Sequence, residues 1–390
     1  MTGRERMLKV LSHDIPDRVP CCPDISVMIP LKLKRRPFWE FFIDFENINN
    51  ISDLFANNMV MRAYVDAVRF FGIEGWAIYG NVKIKTQDIS YSQKILEKRC
   101  EKIITRVTMH TPEGDLWAET VYPIFNPPVP YRKFIKDFKK DFKFLKYFYP
   151  ELDEVDFSPL IDQKEYVGED GVNGISVFIP SLIHLDGIID GGLGKIGLLY
   201  FDYPELFKRY KEMHENWTII FLKKIIESNK RVKMIDEIIT GGSGLITWQG
   251  PRITKELSLD GLKQITNLCK ENNIISHVHC CGFEKQLVQI CADETNLDAI
   301  EPLEPPPQGD CDLKEIKEKY GKKLVIKGNL HTSKIMLSDV TNVEKAAIKC
   351  IMDAAEGGGY ILSTGDQCGR DTPLENIFKL VEVCEEYGKY

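Results

Sequence analysis

From about residue 170 to the end, short apolar runs alternate with longer segments whose apolar residues recur every three or four positions. The runs NGISVFI (173–179), 232–239, IISHVHC (274–280), 297–302, KLVIKG (323–328) and GYILS (359–363) have strand length. Segments 204–228, 255–271, 283–292, 313–320, 343–356 and 373–387 have helical spacing, and the first opens on Pro204, a residue suited to a first helical turn. Strand and helix in steady succession predict parallel βα units.

The N-terminal half follows the scheme less cleanly. Residues 18–26 predict a first strand, 51–71 a helix and 75–79 a second strand. Residues 82–122 are β-rich and alternating, with a turn at TPEGD (111–115), and predict an antiparallel β-hairpin. The count comes to roughly eight strands, which fits one (β/α)8 barrel. The fold class expected is therefore α/β, a TIM-type barrel with a hairpin inserted in its N-terminal half. No Gly/Ser linker and no repeat divide the sequence, so residues 1–390 read as one domain with the insertion at about 82–122. A doubly wound open sheet is the alternative.

Composition adds exclusions. Apolar residues make up 43% and charged residues 28%, an ordinary soluble globular balance. A net charge of −7 argues against a nucleic-acid binder, and the basic clusters KLKRR (32–36) and 133–146 read as solvated faces. The opening MTGRERMLKV has no apolar h-region, and no apolar run reaches the ~20 residues of a bilayer span. The expected location is cytoplasmic, without a membrane partner. Eleven cysteines should then be reduced, and Cys100, Cys269, Cys291, Cys350 and Cys384 read as small core residues.

The candidate chemistry sits in HVHCC, where an apolar run ends. Functional side chains of parallel α/β folds gather at the carboxyl ends of strands. A strand has a side-chain period of two, so His279 and Cys281 face one way, with His277 deeper on the same face and Cys280 opposite. His-x-Cys offers an imidazole and a thiolate to one point. A catalytic zinc takes three protein ligands and keeps a fourth position open. Cys368, in the loop STGDQCGRDTP after the last strand, is the expected third; Asp366, Asp236, Glu237 or His277 are the alternatives. The plain alternative to a metal is a hydrogen-bonded His279 among buried, inert thiols.

Four segments carry a family resemblance: MTGRERMLKVLSHDIPDRVP at the start, HVHCCG, LVIKGNL, and DTPLENIFKLVEVCEEYGKY at the end. Together the chain resembles the uroporphyrinogen decarboxylase superfamily, in particular its corrinoid-linked, zinc-containing methyltransferase branch. The resemblance implies a zinc held by His279, Cys281 and Cys368. It also implies methyl transfer between a small substrate or thiol and a corrinoid. No D-x-H-x-x-G cobalamin motif occurs, so the corrinoid is expected on a separate carrier protein. The loop GDQCGRDTP departs from the glycine- and proline-rich approach of that branch. Decarboxylation of uroporphyrinogen or a related carboxylated substrate fits less well. CCPDISVMIPLKLKRRPFWE lacks the arginine-bearing RQAGR form, and GWAIYGN stands where the decarboxylases carry an aspartate. A non-catalytic corrinoid- or metal-binding barrel is a further alternative.

Other polar residues are expected near the mouth. Asp236 and Glu237 read as ending the strand before GGSG, and Asn329 and His331 follow LVIKG. Asp236, Glu237 and Asn329 are the candidate general acid or substrate anchors, against a capping or loop-ordering role. Glu301 and Glu304 in EPLEPPPQGD are further candidates. GGSG lacks the lysine spacing of a phosphate loop.

Overall fold

The computed structural model describes residues 1–43, 58–86 and 88–390. Seven parallel strands form one curled sheet: β1 (Gly75–Gly80), β2 (Gly171–Ser176), β3 (Glu237–Gly241), β4 (Ile275–His279), β5 (Ala299–Glu301), β6 (Val325–Leu330) and β7 (Tyr360–Thr364). Their spatial order is their chain order. A doubly wound sheet would reverse direction at a switch point; this one does not, and the TIM-type barrel stands.

The seam between β7 and β1 is bridged by the segment read as a first strand. Cys22 N donates to the Leu362 carbonyl (2.8 Å) and Leu362 N to that of Pro20 (2.9 Å). On its other side Glu74 N donates to the Cys21 carbonyl (2.9 Å), one residue before β1.

The strands bury both faces. Inward residues Trp76, Val172, Ile239, Ala299, Val325 and Ile361 cluster with Met7, Val10 and Leu11 of the helix Gly3–Leu11. That helix is fixed at its start by a capping box between Thr2 and Glu5. The outward strand residues pack against the surrounding helices. Helix Asn58–Phe71 illustrates the match of pattern to packing: Val60, Met61, Tyr64, Val65, Val68 and Phe71 recur at helical spacing and are buried. Full burial of each such side chain contributes roughly 1.5–3 kcal/mol. Residues 51–57 of the predicted helix 51–71 lie outside the described residues.

One boundary moves in a way that matters. The apolar run 232–239 was expected as a strand, yet helix Pro204–Val232 runs into it and ends on Lys233 in the left-handed region (φ 55°). β3 begins only at Glu237. Met234 and Ile235 are buried residues of the connection between helix and strand, and burial alone does not tell a connection from a strand.

The β-rich region after β1 holds more than two strands. Lys83–Lys85 pairs with Glu154–Asp156. Ser90–Lys98, Lys102–Thr111, Gly114–Pro123 and Val129–Arg132 form a four-stranded antiparallel sheet. Its central hairpin closes at Thr111↔Gly114, inside TPEGD. Val107, Met109 and Leu116 of this sheet share a second apolar cluster with Phe134, Leu182, Leu185 and Phe207. No described helix is long and apolar enough to cross a membrane.

Candidate metal centre and its chamber

The register of three neighbouring strands builds the site. His279 ends β4 and pairs with Glu301, which ends β5; on the next strand Val325 pairs with Ala299, bringing Lys327 beside Glu301. The side chains form a row. His279 Nδ1 lies 2.6 Å from Glu301 Oε1, and Lys327 Nζ lies 2.6 Å from Glu301 Oε2. The Lys327 ammonium also sits over the Trp76 ring of β1, 3.4 Å from its centroid.

Glu301 and Lys327 are fully buried. Burial pushes the Glu301 carboxyl up, but Lys327 and His279 together hold it well below the usual carboxylate range. Burial alone would lower His279; hydrogen bonds to Cys281 and Glu301 outweigh it, and the imidazole is raised well above its ordinary value.

One nitrogen of His279, the Cys281 sulfur and a carboxylate oxygen of Asp366 lie within 4.8 Å of one another. Asp366 follows β7 by two residues, in the loop after Thr364. Its carboxyl is raised by burial and by Asp24, while His279 pulls it down. The loop GGSG is stitched to the same point: Gly242 N donates to the His279 carbonyl (2.9 Å) and Gly244 N to that of Cys281 (3.1 Å). Two glycines make this approach feasible. Gly241 has φ 100°, and a Cβ there would stand 2.4 Å from the His279 carbonyl oxygen. Gly282 has φ 95°, and a Cβ would stand 2.3 Å from Thr247 Oγ1. Ser243 Oγ lies 3.2 Å from His279 Nε2, the ring nitrogen that faces the site.

The expected residues divide. His279 and Cys281 are brought together; Cys368 does not join them. Its amide donates to the Asp24 carbonyl (2.7 Å), its side chain is fully buried beside Thr364 and Thr372, and burial pushes the thiol up to about 12. Asp366, one of the alternatives, is the third donor that lies near the pair. Asp236 precedes β3 rather than ending it, so it lies at the opposite end of the barrel, paired with Arg4 and accepting from Asn173 N (3.0 Å). Glu237 is fully buried at the start of β3, 3.2 Å from His277 Nδ1 in the barrel interior. Asn329 donates to the Leu303 carbonyl (2.9 Å) and orders that loop. Glu304 accepts from Gly282 N beneath the site. Lys327 and Ser243 were not singled out from the sequence. The signal for Lys327 was available: a cation inside the mostly apolar strand VIKGNL.

The donor set fits zinc. Imidazole, thiolate and carboxylate are its protein ligands. A ligating histidine commonly gives its other ring N–H to a carboxylate, as His279 does to Glu301.

A chamber of about 710 Å³ opens beside Ser243. It lies between the carboxyl ends of β1, β2 and β3 and aromatic residues from 134–150 and 178–217. Together they define an α/β barrel of the kind whose chemistry sits at the carboxyl ends of its strands.

Residues 190–387 match the uroporphyrinogen decarboxylase (URO-D) family, and the chain belongs to that family. A uroporphyrinogen decarboxylase of Coxiella burnetii is 24% identical over 192 residues, 49% of this chain and 50% of that protein. One from Orientia tsutsugamushi is 28% identical over 149 residues, 36% of this chain and 40% of that one. The chain thus spans about half the length, or less, of these curated relatives. Among solved structures, a methyltransferase from Methanosarcina mazei superposes with a TM-score of 0.62 at 14% identity, covering 99% of both chains. That likeness is one of fold.

Proposed function

We propose that this chain is a zinc-dependent methyltransferase. It moves a methyl group between a small substrate or thiol and a corrinoid presented by a separate carrier protein at the barrel's open end. His279, Cys281 and Asp366 hold the zinc. The observation that carries the reading is the convergence of these three donors from the carboxyl ends of two strands distant in the chain, with Glu301 behind the histidine.

Zinc, when bound, supplies Lewis acidity, which lowers the proton affinity of a thiol or draws electron density from an ether oxygen so that the methyl group can leave. The chain's own groups prepare the site. Glu301 accepts a hydrogen bond from the Nδ1–H of His279 and turns Nε2 toward the cation's position. Lys327 keeps that carboxylate ionised inside the barrel. Ser243 stands between His279 and the chamber and can orient a polar group of the substrate.

Decarboxylation is the second reading, favoured by the identity of the curated relatives. A substrate bearing many carboxylates needs cations around it, and none of the chamber's described lining residues is Lys or Arg. Metal analysis of the purified protein tests the first reading. About one zinc per chain is expected, lost in Cys281→Ser, together with zinc-dependent methylation of cob(I)alamin by a panel of methylated ethers, amines and thiols. Decarboxylation of uroporphyrinogen that survives chelation and Cys281→Ser would overturn it.

A further inference from the structure

The chamber beside Ser243 is built almost wholly from rings and aliphatic chains. Tyr79, Phe148, Tyr149, Phe178 and Trp217 contribute to its wall, and among the described lining residues there is no Asp, Glu, Lys or Arg. Its volume of about 710 Å³ lies in the range that encloses a small organic ligand. Burying an unpaired charge there would be costly, because nothing in the wall could compensate it.

Most polar groups of the wall are already engaged with one another. His214 Nδ1 lies 3.0 Å from Tyr149 Oη, and its Nε2 lies 3.0 Å from the Phe178 carbonyl oxygen. Trp217 donates to the Pro150 carbonyl (2.8 Å), and Thr218 donates to that of Phe178 (3.3 Å). His184 differs. Its ring packs edge-on to His214 at 4.7 Å and tilted on Phe178 at 5.4 Å, and neither ring nitrogen makes a hydrogen bond among the described residues. Burial and the neighbouring His214 lower it well below the ordinary histidine value, so the ring is neutral, one donor and one acceptor.

We propose that this chamber binds an uncharged, ring-sized molecule carrying a hydrogen-bonding hydroxyl oxygen, with the aromatic wall gripping the ring and His184 reading the oxygen. This deepens the preceding section and rests on its reading of His279, Cys281 and Asp366 as the reacting centre; the bound ring would reach that centre past Ser243. The selectivity is steric and dielectric. A flat ring fills the space between aromatic faces, and an anion of the same shape is refused because the wall has no counter-charge.

Calorimetric titration of the full chain tests this with three probes: 2-methoxyphenol, 2-methoxybenzoate and toluene. 2-Methoxyphenol should bind with a Kd tighter than about 1 mM, and 2-methoxybenzoate at least about tenfold more weakly at neutral pH. In His184→Phe, 2-methoxyphenol should weaken about tenfold while toluene is held as in the wild type. Cys281→Ser keeps the two readings apart, since it should lose zinc yet bind 2-methoxyphenol unchanged. Equal binding of phenol and benzoate, or no binding of the phenol, overturns the chamber proposal even where zinc is present. Absence of zinc with intact ring binding overturns the proposed function and leaves the chamber proposal standing.

Discussion

The Nδ1 atom of His279 lies 2.6 Å from Oε1 of Glu301, at the carboxyl ends of two adjacent strands. This contact fixes which nitrogen of the ring faces the candidate metal position. Glu301→Gln keeps the size of the side chain and removes its charge. Zinc affinity, measured by competition with a chromophoric chelator, should weaken by roughly 10–100-fold, the effect expected for loss of a carboxylate behind a ligating histidine. An unchanged affinity would separate Glu301 from the metal.

Lys327 and Glu301 are an ion pair taken wholly out of water, 2.6 Å apart. Lys327→Met takes from the buried carboxylate its cationic partner, leaving only His279, and should cost about 3–5 kcal/mol of stability in urea unfolding. The double variant Lys327→Met/Glu301→Gln removes the stranded charge and should recover much of that loss. A non-additive cycle of this kind is the signature of a direct pair. Strict additivity would mean that the two side chains stabilise the fold separately.

Two residues of one loop compete for the third ligand position, and their surroundings give opposite outcomes. Asp366 lies beside His279 and Cys281, whereas Cys368 is fully buried beside Thr364 and Thr372. Asp366→Ala should abolish zinc retention through gel filtration. Cys368→Ala should retain it and lose on the order of 1 kcal/mol from the small cavity left behind. The reverse pattern would return the third position to Cys368.

That contrast shows where the sequence was legible. Within β4 the two-residue period put His277 inside the barrel and His279 at its rim, and it needed only the strand's direction to aim the pair. Beyond β7 the chain is a loop with no fixed period, so GDQC gave no means to choose between Asp366 and Cys368. Asp236 was read at the carboxyl end of its strand because Met234 and Ile235 are buried in the connection before it, which lengthened the apparent strand. The chamber was invisible for another reason. Its wall draws on β1, on residues 134–150 and on 178–217, segments far apart in the chain that meet only in the folded molecule.

The chamber's histidines make stability depend on pH, and the sign follows from their burial. Burial is the main cause that lowers His214, and the Phe178 carbonyl only partly offsets it; its value is about 4. In the unfolded chain it would titrate near ~6.5. Between these values the unfolded state binds the proton and the folded state does not. The contribution is therefore complete above about pH 6.5 and is lost as pH falls through about 4. The size is on the order of 3 kcal/mol for His214. His184 is lowered in the same direction by burial and by His214, and it steepens the slope. The part of the urea unfolding midpoint that these two histidines supply should therefore fall between pH 7 and pH 5, a range mostly above the carboxylate titrations of ordinary Asp and Glu. His214→Gln removes the titration while keeping a side chain able to meet Tyr149 and the Phe178 carbonyl. The fall should be shallower in this variant whatever its stability at pH 7, because the slope reports proton uptake and the level reports packing. A slope equal to that of the wild type would mean that His214 already carries its proton in the folded chamber. The neutral wall on which the selectivity against anions depends would then be lost as well.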